Sequence, residues 1–280
     1  MNATDPSHHP LASLRSPSLR SLSRNWHLWR TLTAQELAAR YRGTLLGRLW
    51  PVLLPLVMFA TYAFVFGVIF RARWPGFAEG DMLGFSLNLF IGLLVHSLLV
   101  ESVGQAPSLM QRNSNFVRKM VFPLPVLVAV PLGSALLHGS IGLVIVALLQ
   151  TLFHGGPHLS MLAVPLMLIP YLFMLFGLSL FVAALGVYLR DLAQIIGVLV
   201  MIILFTAPVF YPESMAPAAL AKLLPFNPIT WPVTSIRAAM LHGQFPSPLG
   251  YAVYSGTSLL IAFAGGRVFN LLRRGFADLI

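Results

Sequence analysis

The 280-residue chain contains no cysteine and few charged residues, and both shortages narrow its possible functions. Without cysteine there can be no disulfide, no Cys-ligated zinc site and no thiol nucleophile. Charged residues make up 9% of the chain, whereas a soluble domain carries about 25%. Hydrophobic residues reach 57% and the mean hydropathy is +0.81. This composition is typical of a membrane protein.

The sequence also lacks a GxxxxGK[ST] phosphate-binding loop, so the chain cannot cradle ATP in that way. Its eight histidines are scattered, and no group of them has the spacing of a dependable metal site. We therefore expect no cofactor and no metal in this chain, and no catalytic residue set. Any ATP-driven work would have to come from a partner subunit.

Long uncharged runs fill much of the sequence. The first, residues 51–70, directly follows the basic residues Arg40, Arg42 and Arg48. Twenty helical residues reach roughly 30 Å, the thickness of the hydrocarbon core of a bilayer. We predict an all-α integral membrane protein with six transmembrane helices, at about residues 51–70, 82–103, 126–151, 161–187, 192–211 and 249–269.

The distribution of basic residues sets the predicted orientation. Six spans place both termini on one side, and positive charge accumulates on the cytoplasmic side of membrane proteins. Of the 18 Lys and Arg residues, only four would then face outward: Arg71, Arg73, Lys222 and Arg237. The net charge of +10 therefore indicates topology rather than affinity for nucleic acid.

Two segments flank this membrane domain, which we place at residues 25–280. Residues 1–24 are rich in Ser, Pro and Arg and poor in acids, which predicts a disordered cytoplasmic tail, with an organellar transit peptide as the alternative. Residues 25–39 place Trp26 and Trp29 among polar residues, which favours a helix in the membrane interface over a plain juxtamembrane linker.

The segment between the fifth and sixth spans is rich in proline and only lightly charged. Its two apolar pieces, residues 216–224 and 229–241, are too short to span a bilayer. We predict a re-entrant helical pair that enters the outer leaflet and packs against protein. A surface loop packed on the spans is the alternative.

Three stretches carry a family likeness: RYRGTLLGRLW at 40–50 with the span that follows, NSNFVRKMVFPLPVL at 113–127, and YLRDLAQIIGVLVMIILFTAPVFYPESM at 188–215 continuing to LLPFNPITWPVTSIRAAML. Together they resemble the membrane subunit of ABC-2-type polysaccharide exporters, over about residues 30–280. The resemblance implies a homodimer, two cytoplasmic ATPase subunits that bind ATP and Mg, and a periplasmic gate formed by the re-entrant pair.

The basic loop between the second and third spans is the candidate contact with the ATPase, because force must pass through a rigid element outside the membrane. This loop resembles the coupling helix of the family. The alternative is an ordinary cytoplasmic loop that is basic because of the positive-inside rule. The predicted coupling residues are Ser108, Arg112, Phe116, Arg118 and Lys119.

Glu101 ends the predicted second span near the cytoplasmic face. An acid there is either solvated or paired with a base, and Arg40, Arg42 and Arg48 are equally plausible partners. We predict a latch near a cytoplasmic gate. The gate residues are Arg40, Tyr41, Arg42, Glu101, Arg190 and Asp191, of which the last two form a capping and anchoring pair at the start of the fifth span.

Aromatic residues recur at steps of three and four along the first span, which places them on one helical face. Aromatic rings stack on the apolar C–H faces of sugars, so such a stripe suits a polysaccharide channel. Packing against lipid or neighbouring helices is the alternative. The predicted channel-lining residues are Phe59, Tyr62, Phe66 and Phe70, with Phe205, Phe210 and Tyr211 on a facing wall.

The sequence thus predicts the permease subunit of an ATP-driven exporter of lipid-linked polysaccharide (O-antigen, capsule or teichoic-acid class) in a bacterial inner membrane. An ABC-2 exporter of a drug or lipid is the first alternative. An ion-coupled transporter is less favoured because three of the predicted spans contain no acid.

Overall fold

The computed structural model describes residues 19–69, 81–118 and 122–279. Within these ranges the protein is helical and contains no strand, which confirms the predicted all-α class. The helices are α1 (Leu19–Tyr41), α2 (Trp50–Tyr62), α3 (Met82–Leu99), α4 (Leu109–Arg112), α5 (Ser114–Val117), α6 (Leu124–Phe153), α7 (Val164–Tyr188), α8 (Leu192–Thr206), α9 (Ala218–Ala221), α10 (Thr230–Leu241), α11 (Pro248–Leu272) and α12 (Phe276–Leu279).

Five helical stretches of the described chain are long and apolar enough to cross a membrane. They are Trp50–Ile69, Met82–Arg112, Leu124–Phe153, Leu159–Tyr188 and Pro248–Gly275. Each corresponds to one of the six predicted spans. The remaining predicted span, residues 192–211, corresponds to α8, which is shorter, and the count of six spans stays a prediction.

The fifth predicted span, residues 192–211, ends early. The helix α8 stops at Thr206, and Ala207 adopts an extended conformation (φ −84°, ψ 156°). Since Ala207 precedes Pro208, the proline ring disfavours a helical conformation at Ala207. The 15 residues of α8 reach about 22 Å, less than the hydrocarbon thickness of a bilayer.

The second predicted span is longer than expected. After Leu99 the chain continues through π-helical turns (Val100–Gly104) and a 3₁₀ turn (Ala106–Ser108) into α4. The apolar helical stretch therefore runs to Arg112 rather than to residue 103. Glu101 lies inside this stretch and does not mark its cytoplasmic end.

The helices α3 and α7 form the interior of the molecule. Most of the second apolar stretch is buried, whereas only 6% of the first is buried within the chain. The helices α7 and α11 make the most extensive contact among the described helices, and Gly177 and Gly265 allow the two backbones to touch. Small residues give membrane helices this close approach, which replaces the hydrophobic effect as a source of packing energy.

The N-terminal helix α1 packs along the first half of α6. The indole Nε1 of Trp29 donates to the carbonyl of Ala129 at 2.8 Å, and Gly133 provides the space for Trp29 and Thr33. The helix begins at Leu19, six residues before the predicted boundary, so residues 19–24 belong to a helix. Its placement in the membrane interface stays a prediction.

The chain between α8 and α11 contains the short helix α9, a 3₁₀ turn (Leu224–Phe226) and α10. The helix α10 packs against α3 and α7 and is largely buried. The second predicted helix of the re-entrant pair is thus present at Thr230–Leu241, and the first is reduced to the single turn Ala218–Ala221. Their depth in a membrane stays a prediction.

Candidate functional site

A polar cluster joins α1, the extension of α3 and the middle of α6. The guanidinium of Arg40 donates to Oε2 of Glu101 at 2.9 Å. The same carboxylate oxygen lies 3.2 Å from Nδ1 of His138. The hydroxyl of Tyr41 lies 2.9 Å from Nε2 of His138. Nη1 of Arg40 also lies 3.3 Å from Nδ1 of His138, so the guanidinium, the carboxylate and the imidazole form one contact group.

This cluster lies within apolar surroundings. His138 stands near the middle of the 30-residue helix α6, and its side chain is 13% exposed, against 22% for Glu101 and 33% for Arg40. A cavity of about 320 Å³ opens on the side of α2 and α3. A second cavity of about 590 Å³ opens on the side of α1 and α6, and Tyr41 and His138 line both. Charged residues in apolar surroundings are costly unless they are paired.

Of the three predicted partners of Glu101, the structure places Arg40 beside its carboxylate. Arg40 makes the ion pair with Glu101. Glu36, one helical turn before Arg40, lies with Oε1 3.9 Å from Nη2 of the same guanidinium. Partial burial raises the pKa of the Glu36 carboxyl, and the positive charge of Arg40 opposes this shift. Arg42 is exposed and lines the neighbouring cavity, while the side chain of Arg48 lies outside the described part of the structure.

The other two predicted gate residues, Arg190 and Asp191, lie elsewhere. Both are exposed, and Arg190 lines a polar cavity with Gln111 and Ser114 of the coupling segment. Asp191 occupies the N-cap position of α8, as predicted, but its side chain makes no capping hydrogen bond. Its backbone carbonyl accepts instead from the amide of Gln194 at 3.1 Å.

The predicted coupling residues form a compact pair of helical turns. Ser108 ends a 3₁₀ turn, Arg112 ends α4, and Arg118 follows α5. Arg112 and Arg118 are exposed, whereas Phe116 is half-buried and its ring lies 4.8 Å from that of Phe122. Phe116 is therefore less exposed than an aromatic residue that points freely toward a partner protein. Lys119 lies outside the described residues.

The described aromatic residues of the first span pack against neighbouring helices of the same chain. Phe59 contacts Phe90 at 5.4 Å between ring centroids, and Phe66 contacts Phe210 at 6.2 Å. Phe205 is exposed and stacks on Phe210 at 5.5 Å. The rings of Phe66, Phe205 and Phe210 form one connected group near the end of α8, and Phe59 pairs with Phe90 of α3. Tyr62 and Tyr211 are half-buried, and Phe70 lies outside the described residues.

Arg237 on α10 holds the chain where α8 breaks. Its side chain is 5% exposed and donates to the carbonyl of Asn88 at 2.8 Å, to that of Val209 at 2.8 Å, and to that of Pro208. Gly92 makes room for the guanidinium, because a Cβ there would lie 2.7 Å from Nη2. The five fixed donors of arginine suit several carbonyls at once.

A third polar contact ties the far ends of α3 and α6 together. Asp81 caps α3 by accepting from the amide of Gly84 at 2.9 Å. Its other oxygen lies 2.8 Å from Nε2 of His154, which caps the end of α6. Partial burial raises the pKa of Asp81, but the hydrogen bonds from Gly84 and His154 outweigh that effect and lower the pKa below its ordinary value.

Two residues of these contacts were missed by the sequence reasoning. His138 is one of the scattered histidines of the sequence, and Arg237 was predicted only as an outward-facing charge. The signal for Arg237 was its position in an otherwise apolar segment, residues 229–241. A cation in such surroundings needs backbone or acidic partners.

The long apolar helices and their small-residue packing define a polytopic helical membrane protein. The chain belongs to the ABC-2 type transporter family, whose profile matches residues 27–241. Membership places it among transport permease subunits in a membrane and implies an ATPase partner.

Similar proteins include O-antigen export system permease proteins RfbA. One from Klebsiella pneumoniae is 25% identical over 255 residues, which cover 89% of this chain and 93% of the relative. One from Myxococcus xanthus is 27% identical over 252 residues, which cover 89% of this chain and 94% of the relative.

Proposed function

We propose that this chain is the membrane-spanning subunit of an ATP-driven exporter that moves lipid-linked polysaccharide across a bacterial inner membrane. The observation that carries the proposal is the near full-length similarity to three O-antigen export permeases. Because the sequence has no phosphate-binding loop of its own, ATP and Mg would bind to two separate cytoplasmic subunits.

The segment from Ser108 to Arg118 would receive the force of the ATPase. Its exposed Arg112 and Arg118 offer charge to a partner surface, and its buried Leu109 and Met110 anchor it. The preceding 3₁₀ turn touches α7 directly, because a Cβ at Gly186 would clash with the carbonyl of Pro107. A displacement of the segment would therefore pass to α7 without a compressible side chain between the two backbones.

Two copies of the chain would enclose the passage. The helices α2 and α8 leave apolar surface uncovered within one chain: α2 contains no buried residue, and α8 exposes Val198, Ile202 and Phe205. In our proposal a second copy faces this surface, and the ring group with Phe66, Phe205 and Phe210 borders the passage. With both termini cytoplasmic, the Arg40–Glu101 pair would close the inner end as a latch.

Deletion of the gene in the organism that encodes it tests the proposal. We expect the surface polysaccharide to disappear while lipid-linked polysaccharide accumulates inside the cell, and a plasmid copy should restore export. Gel analysis of surface glycan and extraction of the lipid-linked fraction measure both. Unchanged surface glycan with altered drug sensitivity or lipid distribution would instead support an ABC-2 exporter of a drug or lipid.

A further inference from the structure

A large cavity that none of the predicted site residues lines lies between the chain after α8, the start of α10 and the first turns of α11. Its volume is about 920 Å³. It lies at the end of α11 remote from Arg273 and Arg274, which is the outer end in the proposed topology. The cavity is large enough for a sugar residue or a lipid headgroup.

An aromatic platform forms one wall of this cavity. Trp231 is half-buried, and Tyr254 stacks on it with ring centroids 4.6 Å apart and an interplanar angle of 18°. The hydroxyl of Tyr254 donates to the carbonyl of Pro228 at 2.8 Å, which fixes the ring. A rigid, accessible indole presents an apolar face of the kind that the C–H surface of a pyranose can cover.

Several polar groups of the lining offer hydrogen-bond acceptors. Thr234 donates its hydroxyl proton to the carbonyl of Thr230 at 3.0 Å, and Thr257 donates to that of Tyr254 at 2.9 Å. The hydroxyl oxygens of both side chains keep free lone pairs. Glu213 adds a carboxylate, which only accepts, and Thr230 has no hydrogen-bond partner for its buried hydroxyl among the described residues.

This set of acceptors distinguishes the two candidate ligands. A sugar brings hydroxyl donors, which match the acceptors of the lining. A phospholipid headgroup brings a phosphate, which is an acceptor and an anion, and Glu213 would repel it. None of the described residues lining this cavity is a Lys or Arg that could neutralise a phosphate.

We propose that this cavity binds an uncharged saccharide unit of the transported polymer as it leaves the passage, stacked on Trp231 and hydrogen-bonded to Glu213, Thr234 and Thr257. This inference rests on the proposed export function and adds a binding site for the cargo at the outer end. The platform gives weak, repeatable contact with successive units, which lets a polymer advance.

Photo-crosslinking in the living cell tests the site. The photoreactive p-benzoylphenylalanine replaces Val253, which lines the cavity and is 59% exposed. The matched control replaces Leu260 on the same helix, which is exposed and does not line the cavity. We expect periodate-reactive carbohydrate on the protein after illumination at position 253 and none at position 260. Phospholipid without carbohydrate at 253, or no adduct there, overturns the inference.

Two substitutions provide a second measurement. Val253→Trp fills the cavity from an exposed position, so folding should be unaffected, and Leu260→Trp is its control. Trp231→Ala removes the platform, and Trp231→Phe preserves part of it. We expect Val253→Trp and Trp231→Ala to slow polysaccharide export about tenfold at unchanged protein level. Leu260→Trp should export at the wild-type rate, and Trp231→Phe should lie between the wild type and Trp231→Ala.

The failure of this inference differs from the failure of the proposed function. If gene deletion abolishes surface polysaccharide but Val253→Trp and Trp231→Ala export it at the wild-type rate, the export function stands and the saccharide site is wrong. If gene deletion leaves the surface polysaccharide unchanged, both are wrong.

Discussion

The guanidinium of Arg237 donates to the carbonyl of Val209, 28 residues earlier in the chain, at 2.8 Å. This bond and the one to Pro208 replace hydrogen bonds that the backbone loses where α8 stops, and the bond to Asn88 ties Arg237 to α3. Unpaired carbonyls in an apolar interior are costly. Arg237 is therefore what allows the chain to turn away from α8 inside the protein.

Replacement of Arg237 should destabilise the protein strongly. Arg237→Ala leaves three carbonyls without this donor, and we expect a loss of about 3 kcal/mol or more in the free energy of unfolding. Arg237→Lys has a single ammonium group instead of the planar guanidinium, so it should retain only part of the stability that Arg237→Ala loses. Thermal melting of the purified protein in detergent measures the effect. The exposed Lys222→Ala is the control, and equal melting temperatures for Arg237→Ala and Lys222→Ala would contradict this role.

The contact between α7 and α11 should tolerate no side chain at Gly265. A Cβ there would clash with the backbone oxygen of Gly177, and neither backbone can move as a flexible side chain could. We expect Gly265→Ala to cost about 1–3 kcal/mol. The neighbouring Gly266→Ala meets no atom within 4 Å and should melt like the wild type. Thermal melting of the two variants and the wild type measures the effect. A Gly265→Ala variant as stable as the wild type would show that these helices can move apart.

The pair Arg40 and Glu101 should behave as a coupled unit. In a double-mutant cycle with Arg40→Gln and Glu101→Gln we expect a coupling free energy of about 1 kcal/mol, because both side chains are partly exposed. If the pair is a latch, the charge exchange Arg40→Glu with Glu101→Arg should also restore part of the export that each single change removes. Arg42→Glu, whose arginine lies beside the other cavity, serves as the control. Additive effects would exclude a functional pair.

Acid should weaken the contact between α3 and α6 at Asp81. Its pKa is lower in the folded protein than the ordinary value of 3.8, so the stabilisation is present above that value and disappears as the pH falls through the folded pKa. Asp81→Asn retains an N-cap side chain but removes the charge, and should flatten the pH dependence below pH about 4. Melting temperatures of the wild type and of Asp81→Asn, measured from neutral to acidic pH, test this pH dependence. Parallel curves for Asp81→Asn and wild type would contradict the assignment.

The absence of cysteine makes the proposed dimer simple to test. Single substitutions Val198→Cys and Phe205→Cys place one thiol each on the exposed face of α8. If a second copy faces α8, mild oxidation of membranes should give disulfide-linked dimers on non-reducing gels. Leu260→Cys, exposed on α11, should remain monomeric. Dimers only from Leu260→Cys would move the interface to α11.

Hydropathy predicted the apolar helices well and their ends less well. An uncharged run marks a span, but the run after Leu192 continues through Val209 and Phe210 although the helix stops before Pro208. Conversely, the charge of Glu101 predicted the end of the second span, but the helical stretch continues to Arg112. Charge and hydropathy describe the average environment of a segment, while backbone sterics and single ion pairs decide where a helix ends.

The partners within the site needed the tertiary structure. Three arginines close in sequence were equivalent candidates for Glu101, and only the docking of α1 against α6 brings Arg40 rather than Arg42 to the carboxylate. His138 joins the cluster because the middle of α6 passes the same point. The aromatic spacing in the first span predicted rings on one helical face that line a passage. Phe59 and Phe66 both contact aromatic residues of the same chain, and their role in lining a passage stays a prediction.

The docking of α1 on α6 also sets an order for biogenesis. A ribosome releases Trp29 long before Ala129, so α1 must wait, without its hydrogen-bond acceptor, until the helix from Leu124 to Phe153 has been inserted. The helix α1 is thus synthesised before α6 but can dock only after α6 is in place. An N-terminal tag that restrains this helix should delay maturation at the translocon while leaving insertion of the apolar helices intact.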